Sequence, residues 1–378
     1  MKLSISRTAE IARTARVLQL EGLFDVAPSQ QSESTWDIEL PIEGSDWQIG
    51  LIVGPSGSGK STLAREAFPD VPFVAANGGY EWPDDKAVVD GFPSDLSIKE
   101  VTGALSSVGF SSPPAWLRPF RCLSTGEQFR ATLARALCDS APLIVVDEFT
   151  SVVDRTVAQI GSAAVAKAIR RIPGKRVVCV TCHYDVEEWL CPDWTLEMPK
   201  GEFARRSLQR PPVALEIVRV HPSAWELFQH HHYMSAEHHP GAKCFCAFLR
   251  EQPVAFCSVI HFPHKTGGWW KEHRTVVLPD FQGVGIGNRL SEYVGSVFRA
   301  TGKPYRDVTA HPGHVHHRAK SPLWKVTRPM SRMRPQSKKT SLNRGVGTAK
   351  TVSSSRLTMS FEYVGPARPE EARKFGLI

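Results

Sequence analysis

Residues 54–61 read Gly-Pro-Ser-Gly-Ser-Gly-Lys-Ser, and they follow the apolar run Ile-Gly-Leu-Ile-Val at positions 49–53. Glycines let backbone N–H groups point inward around an anion without a Cβ in the way. A helix that begins near Lys60 adds the positive end of its dipole. The order of buried strand, glycine-rich turn and helix therefore predicts a P-loop in an α/β fold, with a phosphate group as its ligand.

Each position of this loop has an expected part in holding a nucleoside triphosphate. Lys60 is expected to reach the β and γ phosphates, and the hydroxyl of Ser61 is expected to hold Mg²⁺. The other candidate contacts come from backbone amides and small side chains at Gly54, Ser56, Gly57, Gly59 and Thr62. The loop alone indicates a nucleotide hydrolase without saying which kind.

A second set of motifs narrows the class of hydrolase. Leu-Ser-Thr-Gly-Glu at 123–127 precedes a helical stretch, and the apolar run at 143–146 ends in the pair Asp147 and Glu148. Carboxylates at the C-terminal end of a buried parallel strand stand where ligands bind in open α/β sheets. Asp147 therefore suits a Mg²⁺ ligand, and Glu148 suits a general base for water.

Residues 1–208 resemble the ATP-binding cassette (ABC) ATPases. The resemblance is carried by five elements in the family's order: the phosphate loop, the stretch at 123–127 in the place of the signature motif, the acidic pair, the loop of Asp154, and His183 as the switch histidine. It implies ATP as the nucleotide, with Glu148 and His183 as catalytic residues. The resemblance also implies that Asp154 belongs to the nucleotide site.

The same resemblance implies a head-to-tail homodimer. Ser124 and Gly126 of one subunit would contact the γ-phosphate that Lys60 of the other subunit holds. Because one chain supplies one cassette, the partner is expected to be a second copy.

The chain departs from the family pattern at several positions. Thr125 replaces the first glycine of the signature, Glu127 stands where many members have glutamine, and Phe149 replaces a common proline. No glutamine occurs between the phosphate loop and Gln128, so the family's glutamine-loop residue is missing. Asp90 is a candidate substitute, although a surface turn is the preferred interpretation. These departures argue against a transporter subunit.

The aromatic residue that would stack on adenine is left open. Phe24, Trp36 and Trp47 all lie upstream of the phosphate loop. Each is also a reasonable core aromatic, because large aromatic side chains dominate protein interiors. The sequence does not choose among the three.

Composition is that of an ordinary globular protein with two or three domains: 378 residues, 42% hydrophobic and 22% charged. No apolar run reaches the ~18 to 20 residues that span a bilayer, and no secretory signal leads the chain. We therefore expect a cytoplasmic protein without membrane contact. The spacing of Cys179, Cys182, His183 and Cys191 permits zinc, but small core thiols are the preferred interpretation.

The net charge of +8 is concentrated in one segment. Between Val308 and Phe361 there is no Asp or Glu, whereas eleven Lys and Arg occur. We interpret residues of about 318–356 as a basic insertion that contacts the phosphate backbone of a nucleic acid. The alternative is a solvated basic loop.

A second domain is expected to follow the proline pair at 211–212, which marks a linker. We place it at 209–366, with a C-terminal tail at 367–378. Within it, a strand is expected at 215–220 and a helix from His221. A hairpin of two buried strands is expected over 244–260.

The residues that follow contain a second candidate anion loop. Gln-Gly-Val-Gly-Ile-Gly at 282–287 leads into an amphipathic helix at 288–298. Free N–H groups at a helix N-terminus favour an anion such as a pyrophosphate. A dinucleotide site is one interpretation, but the leading glycine of that fingerprint is missing and no βαβ unit starts here.

Residues of about 213–365 instead resemble the GNAT acyltransferases, which implies a GNAT-like α+β fold with a mixed sheet. In that family a Q/R-x-x-G-x-G/A segment binds the pyrophosphate of acyl-CoA, so acetyl-CoA or another acyl-CoA is the implied cofactor. The role falls on Gln282, Gly285 and Gly287, with Gly283 inside the loop. The strand at 305–310 would be splayed from the preceding strand to admit the acyl arm.

The general base of acyl transfer is left open. Glu272 is the closest match to a glutamate that family members often place before the pyrophosphate loop, yet residues 269–273 could equally be an exposed strand edge. His273 and His261 compete for the role. The histidines at 230–232 permit a metal site, although a polar helix end is preferred.

An ATPase and an acyltransferase on one chain suggest an acceptor that requires work to reach. Nucleic acid fits, because exposing a base costs a few kcal/mol. The leading hypothesis is therefore ATP-driven acyl transfer to DNA or RNA. The alternatives are acylation of a protein or small amine, and an ABC-type ATPase that clamps DNA and carries a non-catalytic GNAT fold.

Overall fold

The computed structural model describes residues 1–28, 31–75, 79–205, 207–232, 237–264, 267–332 and 357–378. The strands of the amino-terminal half are β1 (Lys2–Glu10), β2 (Gln31–Glu39), β3 (Ile49–Val53), β4 (Phe73–Ala75), β5 (Leu143–Asp147), β6 (Arg176–Thr181), β7 (Trp194–Glu197) and β8 (Glu202–Arg205). Its helices are α1 (Ala15–Phe24), α2 (Lys60–Ala67), α3 (Ile98–Ser107), α4 (Pro113–Trp116), α5 (Thr125–Leu137), α6 (Arg155–Ile169) and α7 (Glu187–Leu190). Strands β1 and β2 form a separate antiparallel pair.

The six-stranded sheet of this half has the order β4-β5-β6-β3-β7-β8. The first five strands of this order pair in parallel with their neighbours, and β8 pairs antiparallel with β7. All five residues of β3 are buried, as expected for a parallel strand covered on both faces. Because parallel strands end at the same edge, the segments that follow β3, β5 and β6 meet there.

The carboxyl-terminal half is built on a seven-stranded mixed sheet with the order β14-β15-β13-β12-β11-β10-β9. Its strands are β9 (Glu216–Val220), β10 (Lys243–Leu249), β11 (Gln252–Phe262), β12 (Trp269–Val277), β13 (Tyr305–Thr309), β14 (Trp324–Arg332) and β15 (Leu357–Tyr363). Its helices are α8 (Ile286–Arg299), α9 (Pro312–Lys320) and α10 (Pro369–Lys374).

Helix α8 crosses this sheet because one of its faces is apolar. Leu290, Val294, Val297 and Phe298 are fully buried in the core between helix and sheet, at the spacing of an amphipathic helix. Strands β12 and β13 pair in parallel over two residues, Trp270 with Tyr305 and Lys271 with Arg306. The two strands then separate toward the end at which α8 begins, as expected for a splayed pair.

Several boundaries differ from the sequence expectations. The helix expected from His221 is a 3₁₀ segment at Pro222–Leu227. Residues 269–273, for which an exposed strand edge was one interpretation, belong to β12, which lies between β11 and β13. The expected tail contains α10, which packs on α8 and buries Ala372 completely.

The expected basic insertion also needs correction. Its first part, up to residue 332, contains the end of α9 and all of β14. The side chain of Arg318 is only 1% exposed, so it is unavailable to a polyanion. Residues 333–356 lie outside the described part of the chain.

Candidate functional site

The loop at 54–61 has the backbone shape that an anion cradle needs. Gly57 and Gly59 have φ values of +78° and +85°, which residues with a Cβ rarely adopt. A Cβ on Gly54 would lie 2.3 Å from the carbonyl oxygen of Met198, so a side chain does not fit there. A Cβ on Gly57 would meet no atom within 4 Å. The backbone of the loop is therefore open on the side where a ligand would lie.

The residues expected to hold Mg²⁺ are in contact. Ser61 Oγ, at the start of α2, donates to Asp147 Oδ1, at the end of β5, over 2.9 Å. The backbone amide of Glu148 donates to the same oxygen over 3.0 Å. A hydroxyl and a carboxylate are the oxygen ligands that Mg²⁺ takes beside phosphates. The ammonium of Lys60 meanwhile donates to the carbonyl oxygen of Pro55 over 2.6 Å, across the same loop.

Two residues after β5 adopt strained backbone conformations. Glu148 and Thr150 have φ values of +54° and +67°. Such values are costly for residues other than glycine, and above all for a β-branched threonine. The strain leaves Glu148 exposed and Thr150 buried, so the carboxylate of Glu148 is accessible to water. Nothing in the sequence around Thr150 signals its conformation.

His183 lies beside this strained turn. Its Nδ1 is 3.4 Å from Thr150 Oγ1, and its backbone amide donates to Thr181 Oγ1 over 3.1 Å. Burial lowers the pKa of His183, and the charge of Arg155 lowers it further. The imidazole is therefore neutral at pH 7 and available as a hydrogen-bond partner.

Ser124 and Asp154 both cap helices. The Asp154 carboxylate accepts from the amides of Thr156 and Val157 at the start of α6 over 2.9 and 3.0 Å. Ser124 begins α5 and forms a capping box with Glu127, whose Oε2 accepts from the Ser124 amide over 2.9 Å. Glutamate satisfies this box as well as glutamine does. The departure at Glu127 therefore preserves the local structure of the signature-like stretch.

Trp36 is the aromatic that lies against the phosphate loop. A Cβ on Gly59 would lie 2.8 Å from two atoms of the Trp36 ring. Trp47 is 5% exposed and packs on Trp194, with ring centroids 5.4 Å apart. Phe24, on α1, is 71% exposed. Of the three expected aromatics, the structure brings only Trp36 to the loop.

The second glycine-rich loop also opens a helix. Gly285 precedes α8 with a φ of +98°, and no side chain caps the helix. The first amides of α8 therefore lack partners from within the helix. A Cβ on Gly285 would meet no atom within 4 Å, whereas a Cβ on Gly287 would lie 3.0 Å from Val277 Cγ2. Gly285 thus leaves an open face, and Gly287 allows close packing on β12.

The side chain of Gln282 is already engaged. Its Nε2 donates to the carbonyl oxygen of Val277, and its Oε1 accepts from the amide of Ser111, both over 2.9 Å. Its side chain therefore positions the loop, and the binding of a pyrophosphate by this segment stays a prediction.

A cavity of about 640 Å³ lies beside Gly285, within the size range of small-molecule sites. Its walls combine apolar side chains such as Val284 and Leu290 with guanidinium groups. The arginines that line it are Arg210, Arg289 and Arg368. These three guanidinium groups outnumber the one carboxylate in the lining, that of Glu292, so the cavity suits a ligand that is both anionic and partly apolar.

Glu272 does not have the surroundings of a general base. Its carboxylate is buried and accepts hydrogen bonds from Ser291, Thr275 and Tyr305 over 2.5, 2.6 and 2.9 Å. Burial raises its pKa, but the Arg318 guanidinium, 3.2 Å away, outweighs this and the pKa falls to about 2. A fully bonded carboxylate of this acidity does not take a proton from an amine near pH 7. We assign Glu272 a structural role, which corrects the expectation.

His273 and His261, the other two candidates for the general base, lie in different surroundings. In β12 a bulge lies opposite β11, because Ser258 pairs with Arg274 and Val259 with Glu272, leaving His273 outside the ladder. Such bulges often adjoin active sites. Burial and the charge of Arg274 lower the pKa of His273 to about 3. His261 is exposed at the end of β11, and its Nε2 lies 3.1 Å from Lys303 Nζ.

The remaining candidates from the sequence, Asp90 and Cys179, do not belong to either glycine-rich loop. Asp90 is exposed in a 3₁₀ segment at Val88–Gly91, as a surface turn would be. Cys179 is fully buried, and burial raises its thiol pKa. Among the described residues, no group of three or more His, Cys, Asp or Glu is placed to hold a metal.

Three partly buried histidines are expected to make the carboxyl-terminal half sensitive to mild acid. Burial lowers the pKa of His238, His273 and His314 from 6.5 to about 4, 3 and 4. Between these values the unfolded chain binds protons that the folded chain does not, so stability must fall as pH drops below 6.5. We expect the midpoint of urea unfolding to fall steadily from pH 7 to pH 5, and less steeply in His314→Gln. If the urea midpoint falls equally steeply with pH in the wild type and in His314→Gln, the lowered pKa assigned to His314 is contradicted.

Fold and site together define a P-loop α/β ATPase half followed by a half with the mixed sheet of an acyltransferase. The family model of the acetyltransferase (GNAT) family matches residues 184–317. The zinc transport system ATP-binding protein TroB of Treponema pallidum is 26% identical over 211 residues, which cover 47% of this chain and 76% of that protein. The energy-coupling factor transporter ATP-binding protein EcfA1 of Listeria monocytogenes is 26% identical over 220 residues, covering 49% and 76%.

A solved structure also matches, the dimeric post-hydrolysis state of the ATP-binding cassette MJ0796 bound to ADP and Pi. It has a TM-score of 0.39 and 15% identity, and covers 54% of this chain and 98% of that one. From the sequence matches, the amino-terminal half is similar to ABC ATPases, and residues 184–317, most of which belong to the carboxyl-terminal half, match the GNAT family model. These matches support ATPase and acyltransferase activity. Within the described residues, no helix has both the length and the apolar character to cross a membrane.

Proposed function

We propose that this protein uses ATP hydrolysis to drive or gate the transfer of an acyl group from acyl-CoA to a nucleic acid. We assign residues 1–208 to the ATPase domain and residues 209–366, together with α10, which packs on α8, to the acyltransferase domain. The observation that carries the proposal is a repeated geometry. Gly59 and Gly285 both have a positive φ, both open a helix, and neither helix has a side-chain cap. One chain thus presents two anion-binding loops.

ATP with Mg²⁺ fits the first loop. Lys60 would neutralise the β and γ phosphates, Ser61 and Asp147 would hold the metal, and Trp36 would stack on the base. The metal supplies charge neutralisation on the phosphates. The exposed carboxylate of Glu148 would orient and deprotonate the attacking water. Neutral His183, beside Thr150, would offer a further hydrogen bond in the same site.

An acyl-CoA fits the second loop. The pyrophosphate would lie on the open amides at Gly285, and the arginine-lined cavity beside it offers partners for further phosphate oxygens. The thioester would enter between the splayed strands β12 and β13. An acceptor amine attacks the thioester carbonyl, the C–S bond breaks, and the thiol leaves with a proton. Backbone amides near the bulge at His273 would polarise that carbonyl.

Nucleic acid is the acceptor that the surface charge favours. Lys320, Lys325 and Arg332 are exposed along the end of α9 and the edge strand β14, where they would contact backbone phosphates. The test is incubation with acetyl-CoA, ATP and DNA or RNA, followed by mass spectrometry of the nucleosides. We expect a mass gain of one acetyl group that is lost in Lys325→Glu/Arg332→Glu. An acylated protein or small amine, with unmodified nucleosides, would overturn the choice of acceptor.

Self-association through ATP belongs to the same proposal. Ser124 is exposed at the start of α5, so its hydroxyl is accessible to a γ-phosphate held by a second copy. We expect Glu148→Gln, which should bind ATP without hydrolysing it, to double its mass in light scattering when ATP and Mg²⁺ are added. Lys60→Ala is the control and should stay at its original mass. An unchanged mass for Glu148→Gln would contradict the head-to-tail dimer.

A DNA-clamping ATPase with a non-catalytic GNAT fold is the second candidate. The observation that favours it is that the Glu272 carboxylate is fully engaged in hydrogen bonds and an ion pair, which leaves the acceptor site without an assigned base. Calorimetry with acetyl-CoA separates the two functions. A clamp would give no binding heat, together with ATP hydrolysis that is stimulated by DNA.

A further inference from the structure

The second anion loop rests directly on the ATPase half. Gly283 is the tightest point, because a Cβ there would lie 2.7 Å from Ala164 Cβ on α6 and 2.9 Å from the Gly109 backbone. A Cβ on Gly109 would in turn lie 2.7 Å from the Gln282 carbonyl oxygen. Two glycines that face each other allow the backbones to touch. The loop cannot shift toward the ATPase half without moving that half as well.

Polar contacts reinforce this junction on both sides. The Gln282 amide oxygen accepts from the Ser111 amide over 2.9 Å, and the Gly283 carbonyl accepts from Lys167 Nζ over 3.4 Å. His311, at the start of α9, places its Nε2 3.4 Å from the Ser111 carbonyl oxygen. Ser111 therefore contacts both segments of the acyltransferase half that flank the opening between β12 and β13.

A charged pair extends the junction to the signature-like stretch. Arg130 lies on α5 and is 4% exposed, and its Nη1 is 3.3 Å from Asp280 Oδ1, two residues before Gln282. A Cβ on Gly126 would lie 3.7 Å from the same Asp280 oxygen. The carboxylate of Asp280 thus lies beside the helix end that would receive the γ-phosphate of a partner subunit.

We propose that Asp280 couples the two sites, so that ATP held at the signature-like stretch changes the affinity of the second loop for acyl-CoA, and the reverse. The proposal rests on the function proposed above. A γ-phosphate placed at Ser124 and Gly126 repels the nearby Asp280 carboxylate. Asp280 lies within the short 3₁₀ turn Pro279–Phe281, directly before the loop, so its displacement moves Gln282 and Gly283. Because binding linkage is reciprocal, both affinities must change by the same factor.

The test uses the full chain carrying Glu148→Gln, so that ATP persists. Acetyl-CoA is titrated by calorimetry with and without saturating ATP and Mg²⁺, and ATP is titrated with and without saturating acetyl-CoA. We expect each dissociation constant to change at least fivefold, by equal factors. Adding Asp280→Asn should reduce both factors to less than twofold. The matched control is Asp70→Asn, which removes an exposed carboxylate after α2. This variant should keep both factors at the values found without it.

Hydrogen exchange provides a readout that does not depend on acyl-CoA. We expect ATP to change the exchange rate of the peptide covering residues 279–287 in the Glu148→Gln protein, and to leave it unchanged when Asp280→Asn is added. If acetyl-CoA fails to bind but this response persists, the acyltransferase function fails and the coupling stands. If ATP alters neither the exchange of this peptide nor the affinity for acetyl-CoA, the coupling is overturned.

Discussion

Glu148→Gln is expected to lower the steady-state rate of ATP hydrolysis by about 10²-fold or more, while the affinity for ATP stays within about threefold. The amide has the shape of the carboxylate but cannot accept a proton from water. Glu148 is exposed beside Asp147, and its backbone is held at a φ of +54°. We therefore expect it to contribute to the reaction and not to the binding of phosphates. Phosphate release and calorimetric titration of ATP measure the two quantities.

The matched variant Lys60→Ala should lose both ATP hydrolysis and affinity for ATP. Lys60 is the cation of the phosphate loop, so its removal weakens binding itself. A Glu148→Gln protein that hydrolyses ATP at more than half the wild-type rate would show that another group activates the water. Loss of ATP affinity in Glu148→Gln would instead place Glu148 among the binding residues.

Arg318→Met is expected to destabilise the carboxyl-terminal half by about 3 to 5 kcal/mol. Arg318 is 1% exposed, contacts the carboxylates of Glu272 and Asp307, and lies over the ring of Trp324. Removing the cation leaves two buried carboxylates without a counter-charge. Part of the cost is relieved when these acids protonate, so the variant should lose less stability at pH 5 than at pH 8. Urea unfolding at the two pH values measures the effect.

The control for this prediction is the half-exposed pair of Arg306 and Glu362, which joins β13 to β15 over 2.7 Å. Arg306→Met should cost no more than about 1 kcal/mol, because a solvated pair contributes little. The triple variant Arg318→Met/Glu272→Gln/Asp307→Asn should recover much of the lost stability. Equal costs for the two single variants would contradict the buried network.

The first anion loop could be predicted because its chemistry is contiguous in sequence. The glycines, Lys60 and Ser61 form one turn, and their order carries the mechanism. Asp147 is 86 residues from Ser61, yet their contact follows from a simple rule, since the ends of parallel strands meet at one edge of a sheet. The matches to ABC ATPases and to the GNAT family confirm the two fold assignments.

What could not be predicted depends on contacts between distant segments. Arg318 resembled its neighbours in a basic run, and only the fold brings it to Glu272 and Asp307. For the same reason Glu272 was one of three candidates for the general base, since the sequence does not show the donors that surround it. Gln282 was expected to contact a ligand, but its partner Ser111 belongs to the other half of the chain.

The central claim is that one chain holds two separate anion sites, one for ATP and one for acyl-CoA. Calorimetric titration of acetyl-CoA into the full chain tests it most directly, with Lys60→Ala and Gly285→Val as paired variants. We predict one acetyl-CoA bound per chain, retained in Lys60→Ala and lost in Gly285→Val, which should still bind ATP. The absence of any binding heat in the wild-type protein, or loss of acetyl-CoA binding in Lys60→Ala, would contradict the account.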